Sequence, residues 1–226
     1  MRDHLLFAVF PYVGLVVFLA GWALPFVRRR VAADAVPTTG RGRFDSAWRL
    51  ALAVVAVGHV LTLAFPAAAL QWDRVFVRLV LLEGTRIAAG GLAIAGAAAV
   101  LMRLLRSGPG RTFRAVDVVA ATLLVTATAS GLAIAILYRW ASAWSAVTLA
   151  PYLSSLARFD PSTDLVTHLP VLVKLHVVSA FAIVTVLPLT SPARAIAARL
   201  ALVIRRRAAA REALDESCSW GRDAQS

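Results

Sequence analysis

Two histidines, His59 and His176, lie inside apolar runs, where an ionisable ring is costly and marks a functional position by default. His59 comes about 12 residues into the second run, roughly 18 Å from its arginine-rich end at 1.5 Å per residue. A hydrocarbon core about 30 Å thick then leaves roughly 12 Å beyond it. His176 lies about 6 residues into the fifth run, which travels the opposite way, and so about 9 Å from that same far face. Two imidazoles at nearly one depth on antiparallel helices suit a six-coordinate b-type haem, whose iron takes one axial nitrogen from each side. Gly58, next to His59, leaves room for a macrocycle or a neighbouring helix to approach the backbone. The alternative is that each histidine makes an interhelical hydrogen bond and nothing more.

A second polar group lies at similar depth. Glu83 and Arg86 are three residues apart on the third run, so their side chains share one helix face. They form either an ion pair that eases insertion or a quinone-headgroup site, with charged groups hydrogen-bonding the headgroup oxygens and handling protons. Asp117 opens the fourth run and reads as a helix N-terminal residue favoured by the macrodipole rather than as a proton relay. Lys174 is near enough to the outer face to snorkel. His4 and His168 lie at or beyond that face and read as surface residues.

The elements that position these groups follow from composition. The 226 residues are 60% hydrophobic and only 16% charged, with a mean hydropathy of +0.75. A soluble domain is about 45–50% apolar and about 25% charged, so this is an integral membrane protein. Five runs reach the roughly 20 residues that a spanning helix needs: residues 6–27, 47–68, 79–102, 117–138 and 170–190. The first is too long for a signal-peptide core and lacks a small-residue cleavage pattern, so it is a retained span, bent or trimmed by Pro11 and Pro25. The lone Cys218 supports neither a disulfide framework nor a thiolate metal site. P-loop, GxSxG, HExxH and CxxC motifs are all missing from the sequence. Ala89-Gly90-Gly91 and Gly96 read as close-packing small residues rather than a nucleotide loop.

The net charge of +12 is a matter of topology, not of nucleic acid. Arginines cluster after span 1, after span 3 and in the C-terminal stretch, 17 on that side against 5 on the other. Cytoplasmic loops hold the excess of Lys and Arg, which puts the N-terminus outside and the C-terminus inside. The expected organisation is a five-span domain over residues 1–207 and a polar cytoplasmic tail over 208–226. The long connection at 139–169 contains WASAWSAVTLAPYLSSLARF and reads as an amphipathic segment along the outer interface.

The chain resembles the gamma subunit of respiratory nitrate reductase, a cytochrome b membrane anchor. The resemblance rests on Phe10-Pro11-Tyr12 before an apolar run, Val57-Gly58-His59 in span 2 and Ala89-Gly90-Gly91 in span 3. Lys174-Leu175-His176 in span 5, followed by Leu187-Pro188, completes it. It implies a five-helix bundle with two b haems between spans 2 and 5, and it implies that His59 and His176 hold the outer one, beside the quinol site. The family's inner haem takes one histidine ten residues before the first of these and another eighteen residues after the second. Those positions hold Arg49 and Arg194 here. Arginine stays protonated and is no iron ligand, so the expectation is one haem b. The family's quinol-contacting lysine on span 3 has no lysine counterpart; Arg86 lies nearby.

The resulting expectation is an all-α, polytopic membrane protein of a bacterial or archaeal cytoplasmic membrane. It would pass electrons between quinone or quinol and iron–sulfur or other redox subunits, which hold the substrate chemistry. With no inner ligands, a redox partner is expected on the outer face, against the Trp-rich 139–169 segment. Competing readings are a haem-free structural anchor and the cytochrome b subunit of another enzyme, such as a hydrogenase or another molybdoenzyme. A transporter is disfavoured because no inverted repeat is visible.

Overall fold

A computed structural model describes residues 2–27, 43–106, 115–138, 141–197 and 199–204. The expected tail, Cys218 and most of the loop arginines lie outside the described residues. Within them the protein is all-helical, and five helices are long and apolar enough to cross a membrane. They are span 1 (Leu5–Leu24), span 2 (Phe44–Ala64), span 3 (Phe76–Arg106), span 4 (Ala115–Leu137) and span 5 (Val171–Leu189). Their large apolar side chains are widely exposed, as in Val16, Val60, Leu81 and Val171. Surrounding hydrocarbon makes that exposure cheap, because helices satisfy their own backbone groups there.

Proline and arginine set the ends. Span 2 stops at Ala64 rather than running to 68, because the residue before a proline is pushed out of the helical region. Phe65 has φ −127° and ψ 60°, and Pro66 starts a new short helix, Pro66–Asp73. Span 3 is longer than the apolar run: 31 residues, with Arg103 and Arg106 in its last turn. At 1.5 Å per residue it is about 46 Å long, more than the hydrocarbon core, so both ends take polar residues beyond the slab.

The spans pack as neighbours in the order 2–3–4–5–1. Spans 2 and 5 are not among the closely packed pairs, and each is tied to the other through the rest of the row. Small residues tighten the row elsewhere. Gly21 meets Pro188, where a Cβ would sit 2.7 Å from the ring, and Gly14 on the same face meets Thr185. Gly96 lies against the Trp48 side chain, as its small size suggests, while a Cβ at Gly91 would meet nothing within 4 Å. Asp117 reaches across to the chain after span 5, accepting hydrogen bonds from Ser191 N–H at 2.7 Å and Ser191 Oγ at 2.6 Å. It therefore caps the helical run that begins there.

One end of the row is closed by the segment after span 4. Ala141–Trp144, a π-helical turn at Ser145–Leu149 and Ala150–Ala157 abut the end of span 2 and the Pro66–Asp73 helix. The segment's apolar face, Ala146, Ala150, Tyr152 and Leu156, is buried on the bundle, and Trp144 packs against the main core cluster. The segment packs on the end of span 2 and on the Pro66–Asp73 helix, while Val147 and Phe159 stay exposed.

Two Pro-Tyr pairs hold this cap in place. Pro11 follows a π-helical turn at Leu5–Val9, and Pro151 follows the one at Ser145–Leu149. Proline has no N–H, so Pro11 cannot bond the Phe7 carbonyl four residues back. Tyr152 donates to that carbonyl at 2.6 Å, and Tyr12 donates in return to the Leu156 carbonyl at 3.0 Å. The Phe7 and Tyr152 rings meet edge to face at 6.2 Å, and both residues are fully buried. Burial, with Tyr12 nearby, pushes the Tyr152 phenol well above its ordinary range, so it stays a donor. Removing its hydroxyl leaves a buried carbonyl unpaired, which costs about 1–3 kcal/mol. Thermal unfolding in detergent should therefore show Tyr152→Phe less stable than wild type, and Tyr12→Phe less affected because Tyr12 is only part-buried.

Candidate functional site

Of the sequence-derived site residues, the fold brings together the rings of His59 on span 2 and His176 on span 5. Their ring centroids are 5.9 Å apart, with 38° between the planes. The distance has chemical meaning. Two imidazoles on one metal at about 2.0 Å each, with centroids about 1 Å behind the ligating nitrogens, hold those centroids about 6 Å apart.

Each ring is tied at Nδ1. His59 Nδ1 lies 2.7 Å from the Val55 carbonyl, one turn back on its own helix. His176 Nδ1 lies 2.9 Å from the Ala127 carbonyl of span 4, with Ser130 Oγ at 3.2 Å. A carbonyl only accepts, so the partner fixes the tautomer: Nδ1 carries the hydrogen and Nε2 the lone pair. A second bond of this kind orients a metal-binding histidine and raises its basicity. The bland alternative is thus half realised, since His176 does bond a neighbouring helix, and it does so through the nitrogen that ligation leaves over. Among the described residues no three His, Cys, Asp or Glu side chains gather to hold a bare metal ion. A pair of imidazoles suits a metal whose other positions are already filled, as a planar macrocycle fills them.

Gly131 sets the position of His176. A Cβ there would lie 2.8 Å from Cε1 and 3.2 Å from Nδ1 of the ring, so the imidazole rests directly on the span 4 backbone. Sequence reasoning misses it: a glycine in a spanning helix is visible, but the residue opposite is known only from the fold. The backbone at Gly58 is open. A Cβ there would meet only Arg86 Nε at 4.0 Å, so no neighbouring helix presses on that backbone; a guanidinium lies beside it.

Arg86 crosses from span 3 to span 2. Its Nη2 donates to Thr62 Oγ1 at 2.7 Å, and Thr62 in turn donates to the Gly58 carbonyl at 2.9 Å. The Glu83 carboxylate is farther, at 3.9 Å from Nη1. Glu83 and Thr62 are both buried. The pair expected within span 3 is thus a three-residue bridge, one helical turn from His59. Thr62 is not identifiable from the sequence, because a threonine in a spanning helix usually bonds its own backbone.

The remaining groups are occupied elsewhere. Lys174 does not stand free at the surface; its Nζ bonds Asp3 Oδ2 at 2.7 Å and links spans 5 and 1. His4 and His168 are exposed. Arg49 Nε donates to the Asp45 carbonyl at 2.7 Å, one turn back on its own helix. Arg194 turns back likewise, to the Thr190 carbonyl and Ser191 Oγ, each at 3.4 Å.

A family model for the nitrate reductase gamma subunit matches residues 3–213. Comparison with curated proteins gives no match. The matched family consists of haem-containing cytochrome b membrane anchors in multi-subunit nitrate reductases. The match covers all five spans, the histidine pair and the Arg86 bridge, and the chain belongs to the nitrate reductase gamma subunit family.

Proposed function

We propose that this chain is a haem b anchor that passes electrons between the quinone pool and redox subunits of its complex, in nitrate-reductase-like quinol oxidation. The observation that carries this reading is the His59–His176 pair, spaced for one metal and tied at both Nδ1 atoms. A bound haem supplies one-electron redox chemistry at a potential tuned by its axial ligands and their hydrogen bonds. The chain's own residues do the rest. His59 and His176 offer Nε2 from opposite sides, and the Val55 and Ala127 carbonyls hold both rings in the ligating tautomer. The apolar flanks of spans 2 and 5 would receive the group, with Gly58 beside His59.

Arg86 and Glu83 are the quinone-site residues in this reading. Thr62 anchors one guanidinium N–H, and the remaining N–H groups can donate to a headgroup oxygen. Substrate chemistry lies in the iron–sulfur or other redox partners. The charge asymmetry orients the N-terminus outside, in a bacterial or archaeal cytoplasmic membrane. Arg49 and Arg194 stand where the resemblance puts the inner ligands, and both turn back along the chain, which supports a single haem.

Three outcomes are expected. The reduced-minus-oxidised optical spectrum of the purified protein gives one b haem per chain; His59→Ala and His176→Ala abolish it, and His168→Ala leaves it intact. A ratio near two, or an unchanged spectrum in His59→Ala, contradicts the assignment. Gly131→Ala lowers haem occupancy by displacing the His176 ring, whereas Gly91→Ala, with open space around it, keeps wild-type occupancy. Arg86→Ala slows quinol oxidation about tenfold or more, the scale of a lost charged hydrogen bond, while haem content falls far less. Equal losses of haem and activity would make Arg86 a structural residue.

A further inference from the structure

His59 and His176 are tied at Nδ1 in unequal ways. Among the described residues His59 has one acceptor, the Val55 carbonyl of its own helix at 2.7 Å. His176 has two, both on span 4: the Ala127 carbonyl at 2.9 Å and Ser130 Oγ at 3.2 Å. Ser130 is buried, and a hydroxyl has a single hydrogen to give. That hydrogen is drawn to the Thr126 carbonyl at 2.7 Å, with the Ala127 carbonyl at 3.1 Å. Both carbonyls only accept, so an Oγ lone pair is what faces the Nδ1 hydrogen of His176. The backbone bond also fixes where that lone pair points. Thr128, two residues earlier, donates to the Leu124 and Val125 carbonyls of its own helix and offers an internal comparison.

We propose that Ser130 is a positioning residue that lowers the reduction potential of the haem held by His176. This rests on the haem reading of the histidine pair given above and adds a residue to it. Two acceptors draw the Nδ1 hydrogen more strongly than one, and the ring passes the electron density gained to Nε2. A ligand nitrogen richer in electrons favours ferric over ferrous iron, which lowers the potential. A haem tuned this way takes an electron from quinol less readily and hands it to a redox partner more readily. One buried hydroxyl on span 4 thus sets the balance between the two transfers without touching the iron.

The test is anaerobic redox potentiometry of the haem-loaded full chain in detergent, read from the optical spectrum. Ser130→Ala removes the second acceptor and should raise the midpoint potential. The expected size is a rise of about threefold to tenfold in the ferrous-to-ferric ratio at fixed potential, the scale of one hydrogen bond; tenfold corresponds to about 59 mV for one electron. Ser130→Cys, a weaker acceptor, should move the potential the same way by less. Thr128→Val, which removes a hydroxyl turned to its own helix, should keep the wild-type value and so separates the hydrogen bond from a general loss of polarity. Haem content should stay near wild type in all three. An unchanged or lowered potential in both Ser130 variants overturns the tuning role and leaves the haem site standing, as does an equal rise in Thr128→Val. Loss of haem from both Ser130 variants overturns it too, by making Ser130 a structural residue. Wild-type protein that carries no b haem overturns the haem reading itself, and this proposal with it.

Discussion

Inside hydrocarbon, water cannot satisfy a stray N–H or carbonyl, and each one left unpaired costs several kcal/mol. That constraint accounts for the main features of this bundle. Pro11 withholds a backbone N–H from the Phe7 carbonyl, and Tyr152 supplies the missing donor from a segment more than a hundred residues later in the chain. The reciprocal bond from Tyr12 to Leu156 fixes the same two pieces from the other side. Together they close a row of helices that otherwise has two ends. The same need for partners ties each histidine to a carbonyl through Nδ1, which leaves Nε2 as the open valence.

The site depends on this closure. Spans 2 and 5 are not packed against each other, so their separation is set through spans 3 and 4 on one side and through span 1 and the capping segment on the other. His176 takes its orientation from span 4, through Ala127 and the bare backbone of Gly131. Arg86 and Thr62 brace span 3 against span 2 one turn from His59. The two rings are thus positioned from opposite ends of one packing chain, and a cofactor between them would complete the circuit.

Much of the fold is legible in the sequence because membrane helices advertise themselves: continuous apolar length marks all five spans to within a few residues. The histidine pairing is legible for a related reason, since a helix converts residue number into depth at a fixed rise. Where sequence reasoning falls short, the missing information is lateral. Depth says nothing of which helix stands beside which, so the partners of Thr62, Ser130 and Gly131 carry no mark in the sequence. The contacts of the capping segment are not legible, because Trp and Leu beside Pro suit a lipid-facing helix and one packed on the bundle equally well. The early stop of span 2 is readable from Pro66 alone, against an apolar run that continues past it.

The central claim is that His59 and His176 together hold one haem through Nε2. Low-temperature electron paramagnetic resonance of the oxidised protein tests it most directly. The account predicts a single low-spin ferric species with two imidazole ligands, integrating to one spin per chain and lost in His176→Ala. A high-spin signal, or two distinct low-spin species in the wild-type protein, would contradict it.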